Sequence, residues 1–277
     1  NKVIVPDSEA NFNRFESEII KKIQNGERIL SPQEEKLIIG GEATMWTEHV
    51  SPETIDSRLW PRTAAIAERL WSPENIRDVD DMYRRLDIIS IQLEWLGSTH
   101  IKNKKMMLRR LARTEDINVL ENVVDYIEPV KGYKRNNANN FTKYSPYSLL
   151  VDVAAPDPSS LRKFNKLLDT LIINPSDILL EKLYQQLYLW DSNHDIIQKM
   201  AYKNPLLKDL LTHSTSLQVI SSRSIELLNL KKKGLAASPE QIKQYKDLIK
   251  KSLVPAGYCE LSLGLNLEKF ILDYCQK

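Results

Sequence analysis

Leu37-Ile38-Ile39-Gly40-Gly41-Glu42-Ala43-Thr44-Met45-Trp46-Thr47-Glu48 is the stretch on which the reading of this chain turns. Three continuous apolar residues followed by two glycines predict a strand covered on both faces, as in a parallel sheet. Side chains alternate along a strand, so Glu42, Thr44, Trp46 and Glu48 share one face if the strand stays regular that far. Upstream, Lys2-Val3-Ile4-Val5 reads as a second buried strand stopped by Pro6, and Phe15, Ile19, Ile20 and Ile23 mark one face of a helix over 14–25. Ser31 and Glu34 have capping-box spacing and predict a short helical turn. Downstream, a helix is expected over 58–71, with Pro61 in its first turn where no backbone donor is missed. Strand, helix, strand, helix is the alternation of a barrel or a doubly wound sheet. A closed barrel needs about 250 residues, and only two such units fit before residue 75.

Beyond this the signals are helical. Val79, Met82, Tyr83, Leu86, Ile89, Leu93 and Leu96 recur at spacings of three and four, and Gly97 stops the pattern. A basic helical run follows over 102–113, then an amphipathic stretch over 114–128 and a polar, Asn-rich loop over 131–148. From Pro156 onward only helical signals are read. Their apolar stripes include Leu161, Phe164 and Leu168, then Leu183, Leu187 and Trp190, then Leu210, Leu217 and Ile220. Ser238-Pro239-Glu240-Gln241 is a second capping box, with proline at the first helical position. The chain is therefore expected to be predominantly helical overall.

Composition limits the function classes. A net charge of +2, from 39 basic and 37 acidic residues, gives no field that argues for nucleic acid or an anionic membrane. No apolar run approaches the roughly 18 residues that span a bilayer. The four histidines are far apart and no Cys/His cluster has metal spacing, so neither metal nor cofactor is expected. Cys259 and Cys275 read as two buried free thiols. The first residue is Asn1 rather than Met, so the native start is expected to lie upstream.

An indole stacks on the apolar face of a sugar while a carboxylate accepts from its hydroxyls, so Trp46 and Glu48, two residues apart, suit a pyranose. Glu42 reads as an inward carboxylate paired with Arg62 or Arg69. Arg58 and Glu68-Arg69 read as structural ion pairs. Tyr184, Tyr188, Trp190 and Tyr202 are expected in the core from their helical spacing.

Taken with Arg58-Leu59-Trp60-Pro61-Arg62 and Glu68-Arg69-Leu70-Trp71, the opening stretch closely resembles the C-terminal end of the catalytic barrel in the β-N-acetylhexosaminidases of glycoside hydrolase family 20. These retaining glycosidases remove terminal N-acetylglucosamine or N-acetylgalactosamine. The resemblance implies an α/β region over 1–100, the last two strands and helices of a (β/α)8 barrel. A helical connector and polar loop over 101–155 and an all-α extension over 156–277, of a bacterial type, complete the expected organisation. It also implies that Trp46 walls the pocket for the terminal sugar and that Glu48 binds its 4- and 6-hydroxyl side. Val3-Ile4-Val5-Pro6-Asp7-Ser8 resembles the seventh barrel strand, after which Asn11 and Asn13 stand where the family has a Tyr and an Asp contacting the sugar. The family's reaction is substrate-assisted, with an Asp-Glu dipeptide on an earlier strand. This sequence holds no Asp-Glu dipeptide, so no catalytic residue is assigned, and the chain is expected to be a fragment that is inactive alone. The implied partners are N-acetylhexosamine-containing glycans and the remainder of the barrel, with a periplasmic or secreted location. The competing expectation is a non-catalytic helical interaction or glycan-binding module.

Overall fold

In the computed structural model the described residues are 9–27, 29–137, 141, 142, 144, 145 and 147–276, with side chains described from 16 to 275. The strand expected over 2–5 lies outside them. Helix α1 (Glu9–Gln24) begins earlier than the apolar spacing predicts. Helix α2 (Pro32–Glu35) carries the expected capping box: Glu34 N donates to Ser31 Oγ at 3.2 Å, and Ser31 N donates to Glu34 Oε2 at 2.8 Å.

The strand expected at Leu37–Ile39 does not form. That segment and the run to Trp46 have no regular structure, and Leu37, Ile38 and Ile39 are 79%, 61% and 101% exposed. An apolar run becomes a strand only when a neighbour accepts its backbone hydrogen bonds, and no described residue pairs with this one. The helix expected over 58–71 is two helices, α3 (Ile55–Leu59) and α4 (Arg62–Trp71). Proline disfavours the helical region for the residue before it, and Trp60 is extended, with φ −100° and ψ 149°. Pro61 thus precedes the second helix, following a cis peptide bond.

The remaining order is α5 (Val79–Trp95), α6 (His100–Ala112), α7 (Asn118–Val124), β1 (Glu128–Pro129), α8 (Lys134–Asn137), α9 (Leu150–Val153), α10 (Ser159–Ile173) and α11 (Asp177–Lys203). A short 3-10 turn (Pro205–Leu207) leads into α12 (Lys208–Lys232), α13 (Pro239–Ser252), β2 (Cys259–Glu260) and α14 (Leu263–Gln276). Gly97, at φ +102°, ends α5 in the left-handed region that glycine enters without steric cost. The second capping box opens α13, with Gln241 N donating to Ser238 Oγ and Ser238 N to Gln241 Oε1. One expectation fails here: residues beyond 156 are not all helical, because β2 pairs antiparallel with β1, Glu128 facing Glu260 and Pro129 facing Cys259. Two residues are too few to show a period, so the pair is invisible until the helices bring it together.

By internal contacts the chain divides into a smaller unit (Asn1–Thr44 with Ile66–Ile76) and a larger one (Met45–Ala65 with Arg77–Lys277). In the smaller unit, Arg69 closes the turn after α4 by donating to the backbone carbonyls of Ser72, Pro73 and Ile76. In the larger unit, α11 packs along α12, α10 against α14, and α13 against α12 and α14. Their buried faces meet in one core that includes Leu183, Leu187, Trp190, Leu217, Leu227, Tyr245, Leu267 and Phe270. Each such side chain stabilises the fold by about 1.5–3 kcal/mol relative to leaving it in water. Trp190 is in this core as expected, but Tyr188 and Tyr202, on the same helix, are 53% and 91% exposed. Cys259 and Cys275 are buried free thiols, and burial raises both pKa values, that of Cys275 to about 11.

Candidate functional site

Trp46 and Glu48 line one cavity of about 460 Å³, built wholly within the larger unit. Its other walls are Met45, His49 and Val50, then Arg58 and Arg62, then residues of the 129–136 segment, with Val151 and Pro156 closing the set. Trp46 is 76% exposed and Tyr133, on the facing segment, 67%, so both rings are open to a ligand.

Each wall has a physical anchor. Residues 48–54 are tied down by the Tyr147 hydroxyl, which donates to the Glu48 carbonyl at 3.0 Å, and by Glu53, whose carboxylate takes both Arg110 Nη atoms at 2.8 and 2.6 Å. The β1–β2 pair, extended by Val130 N donating to Tyr258 O at 2.9 Å, launches the opposite wall. Arg135 then turns inward. Its side chain is 8% exposed, its Nη1 donates to Asp152 Oδ1 at 2.9 Å, and its guanidinium lies over Phe141 and Tyr147 at 5.4 and 5.9 Å from the ring centres. Both Asp152 oxygens are engaged, because Oδ2 also accepts from Leu149 N at 2.9 Å and caps α9. Arg58 holds the other end of that helix, donating to Val151 O and Ala154 O, each at 2.9 Å. Cations suit the carbonyl end of a helix and carboxylates its amide end, and this short turn has both.

Several donors are left over. Arg135 Nε and Nη2 and Arg62 Nε are buried without a hydrogen-bond partner among the described residues. Burial, reinforced by the Arg135 charge, lowers the His49 pKa, while Asn136, Asp152 and Glu48 act in the opposite direction.

Burial also lowers His100, held between Ser90 and Ser98, and His213, whose Nε2–H donates to Ala256 O at 3.0 Å. All three therefore take up protons more readily in the unfolded chain, where the ordinary value is 6.5. Their contribution is fully present above that value and is lost as pH falls through the lowered native values. The urea midpoint is accordingly expected to drop between pH 7.5 and pH 5.5. Replacing the three histidines by glutamine should flatten that profile, and an unchanged slope would refute the assignment.

The structure thus brings Trp46 and Glu48 to one opening. Asn11 and Asn13 fall within α1, and their side chains are outside the description. Glu42 is exposed rather than inward, since the strand that would have pointed it inward is missing. Arg58 and Arg69 serve backbone carbonyls instead of the expected carboxylates. Arg135, Asp152, His49 and Tyr133 were not singled out by sequence reasoning. Arg135 and Asp152 sit 17 residues apart across a polar loop, a separation that carries no periodic signal. Among the described residues no group of His, Cys, Asp and Glu is placed to hold a metal ion, and no helix is long and apolar enough to cross a membrane.

The glycosyl hydrolase family 20 catalytic domain matches residues 7–74. Over 58 residues the chain is 50% identical to the β-hexosaminidase subunit beta of Felis catus, covering 21% of this chain and 11% of that protein. Over 73 residues it is 45% identical to a probable β-hexosaminidase of Drosophila melanogaster, covering 24% and 11%. The X-ray structure of a Flavobacterium johnsoniae chitobiase is similar over 88% of this chain and 36% of that one, with a TM-score of 0.79 and 37% identity. The chain therefore spans about a tenth of the length of the curated relatives and about a third of the chitobiase. The chitobiase likeness must run well past residue 74, so the helical part has a counterpart in that enzyme. Residues 7–74, holding Trp46 and Glu48, are a glycosyl hydrolase family 20 β-hexosaminidase region.

Proposed function

We propose that this chain supplies the C-terminal part of an exo-acting β-N-acetylhexosaminidase, hydrolysing terminal β-linked N-acetylglucosamine or N-acetylgalactosamine in a periplasmic or secreted setting. Residues 1–100 then contribute the last two strands and helices of a (β/α)8 barrel, 101–155 a connector, and 156–277 a helical extension. The observation that carries this reading is that Trp46 and Glu48, both in the region that matches the family's catalytic domain, open onto one cavity. Trp46 stacks on the terminal sugar and Glu48 accepts from its 4- and 6-hydroxyls. Asn11 and Asn13 are the candidates for the acetamide side.

The acid and its partner come from polypeptide beyond this sequence, which contains no Asp-Glu dipeptide. Exposed apolar surface supports a missing neighbour in each unit. Leu37, Ile38, Ile39 and Trp71 are open in the smaller, and Ile88, Ile91 and Trp95 form an open stripe along α5 in the larger. The remainder of the barrel would cover both.

The chain alone is expected to bind N-acetylglucosamine weakly and to turn over no chromogenic N-acetylglucosaminide. Trp46→Ala should weaken that binding about tenfold, the effect of losing roughly 1.4 kcal/mol of ring contact. Turnover by the purified chain would overturn the placement of the acid elsewhere, and sugar binding indifferent to Trp46 would overturn the pocket.

A further inference from the structure

The loop that follows Trp46 is held from outside the stretch that matches the family's catalytic domain. Met45–Ala65 groups with Arg77–Lys277 rather than with the residues on either side of it. The contacts that tie it there are specific. Glu53 meets Arg110 through two hydrogen bonds, at 2.8 and 2.6 Å, and its carbonyl accepts from Asn103 Nδ2 at 3.0 Å. Asp56 Oδ2 accepts from the Thr99 amide and hydroxyl at 2.6 and 2.9 Å. At the other end of the loop, His49 packs edge-on against Phe141 with ring centres 4.5 Å apart. Glu48 itself is exposed, and its one hydrogen bond among the described residues is made by its carbonyl, which accepts from the Tyr147 hydroxyl at 3.0 Å. The direction of its carboxylate is therefore set by the backbone that carries it.

We infer that Tyr147 is a positioning residue for sugar recognition: its hydroxyl fixes the Glu48 backbone so that the carboxylate meets the 4- and 6-hydroxyls of a sugar stacked on Trp46. The inference rests on the saccharide reading of the cavity and adds what aims its acid. Tyr147 is placed in turn by Arg135, whose guanidinium lies 5.9 Å from the ring centre and is itself fixed by Asp152 at 2.9 Å. The buried ion pair thus reaches the ligand through the ring, without touching it. Small errors of placement weaken a directional hydrogen bond steeply, so an exposed acid on a loop needs such an anchor. The region beyond residue 74 then has a part in recognition, because it supplies the side chain that holds the wall of the cavity carrying Glu48.

The test is an NMR titration of the full chain and of Tyr147→Phe with two sugars, N-acetylglucosamine and its 4,6-dideoxy analogue. The analogue keeps the face that stacks on Trp46 and lacks the hydroxyls assigned to Glu48, so the four affinities form a cycle between Tyr147 and those hydroxyls. Tyr147→Phe keeps the ring beside Arg135 and removes only the hydroxyl. It is expected to weaken N-acetylglucosamine about threefold, as the loss of one hydrogen bond implies, and to leave the analogue's affinity unchanged. A merely structural role would weaken both sugars alike, and that result would overturn the inference. An unaltered affinity of Tyr147→Phe for N-acetylglucosamine would overturn it too, leaving the saccharide pocket standing. Binding of neither sugar by the unaltered chain would overturn the pocket along with it.

Discussion

Trp190→Ala is expected to lower the unfolding free energy by about 3–5 kcal/mol, the range for truncating a large aromatic in a core that cannot collapse around the gap. Trp190 is 2% exposed, and its ring meets Tyr126 and Phe164 edge-on at centroid distances of 4.8 and 5.0 Å. Its indole Nε1–H donates to the Asn122 carbonyl at 2.9 Å. One side chain of α11 therefore joins α7, α10 and the turn after α7. Its removal leaves a cavity, strips two aromatic contacts and takes the indole donor from the Asn122 carbonyl, three losses at one position. Tyr202→Ala, twelve residues on in the same helix and 91% exposed, should change stability by no more than about 0.5 kcal/mol. Urea denaturation of both variants checks the contrast. Similar midpoints would show that the helical core does not depend on this aromatic cluster.

Asp152→Ala is expected to cost a comparable 3–5 kcal/mol, by a different route. The Asp152 side chain is fully buried and the Arg135 side chain 8% exposed, so deleting the carboxylate leaves a guanidinium in low dielectric with no counter-charge. The Leu149 amide loses its acceptor at the same time, which frees the start of α9. The double variant Arg135→Met with Asp152→Leu removes both charges and should recover most of the loss, since a buried pair contributes little beyond an apolar isostere. A double variant as unstable as Asp152→Ala would sink the electrostatic explanation. Because Arg135 and the Val151 end of α9 line the cavity, saccharide binding should fall in Asp152→Ala even where the chain remains folded.

Much of the helical architecture was legible because its causes are local. The boxes at Ser31 and Ser238 close within one turn, so four residues contain the whole interaction. The stripe Leu183, Leu187, Trp190 is buried as its spacing requires. The same rule misplaced Tyr188 and Tyr202, since period marks a face only where another helix covers it. Pro61 was read inside the first turn of one helix over 58–71, but with Trp60 extended before it the helix is split and its second part starts at Arg62. The expected strand at Leu37–Ile39 shows the opposite limit, because a strand is half of an interaction and the sequence names only its own half.

For the site, Trp46 and Glu48 were legible as a pair because two residues of spacing and a family resemblance both pointed there. Arg135, Asp152, Tyr133 and His49 were not, although they make up much of the same cavity. The sequence by itself determined where most helices lie, which faces of them are apolar and that an indole and an acid stand together near residue 46. Only the tertiary structure decided which distant charges meet, that an arginine in a segment read as a polar loop is buried against Asp152, and that this residue lines the same cavity as the indole. Helical order is written in interactions over three or four residues, whereas an ion pair across a loop depends on every packed element that brings its ends together.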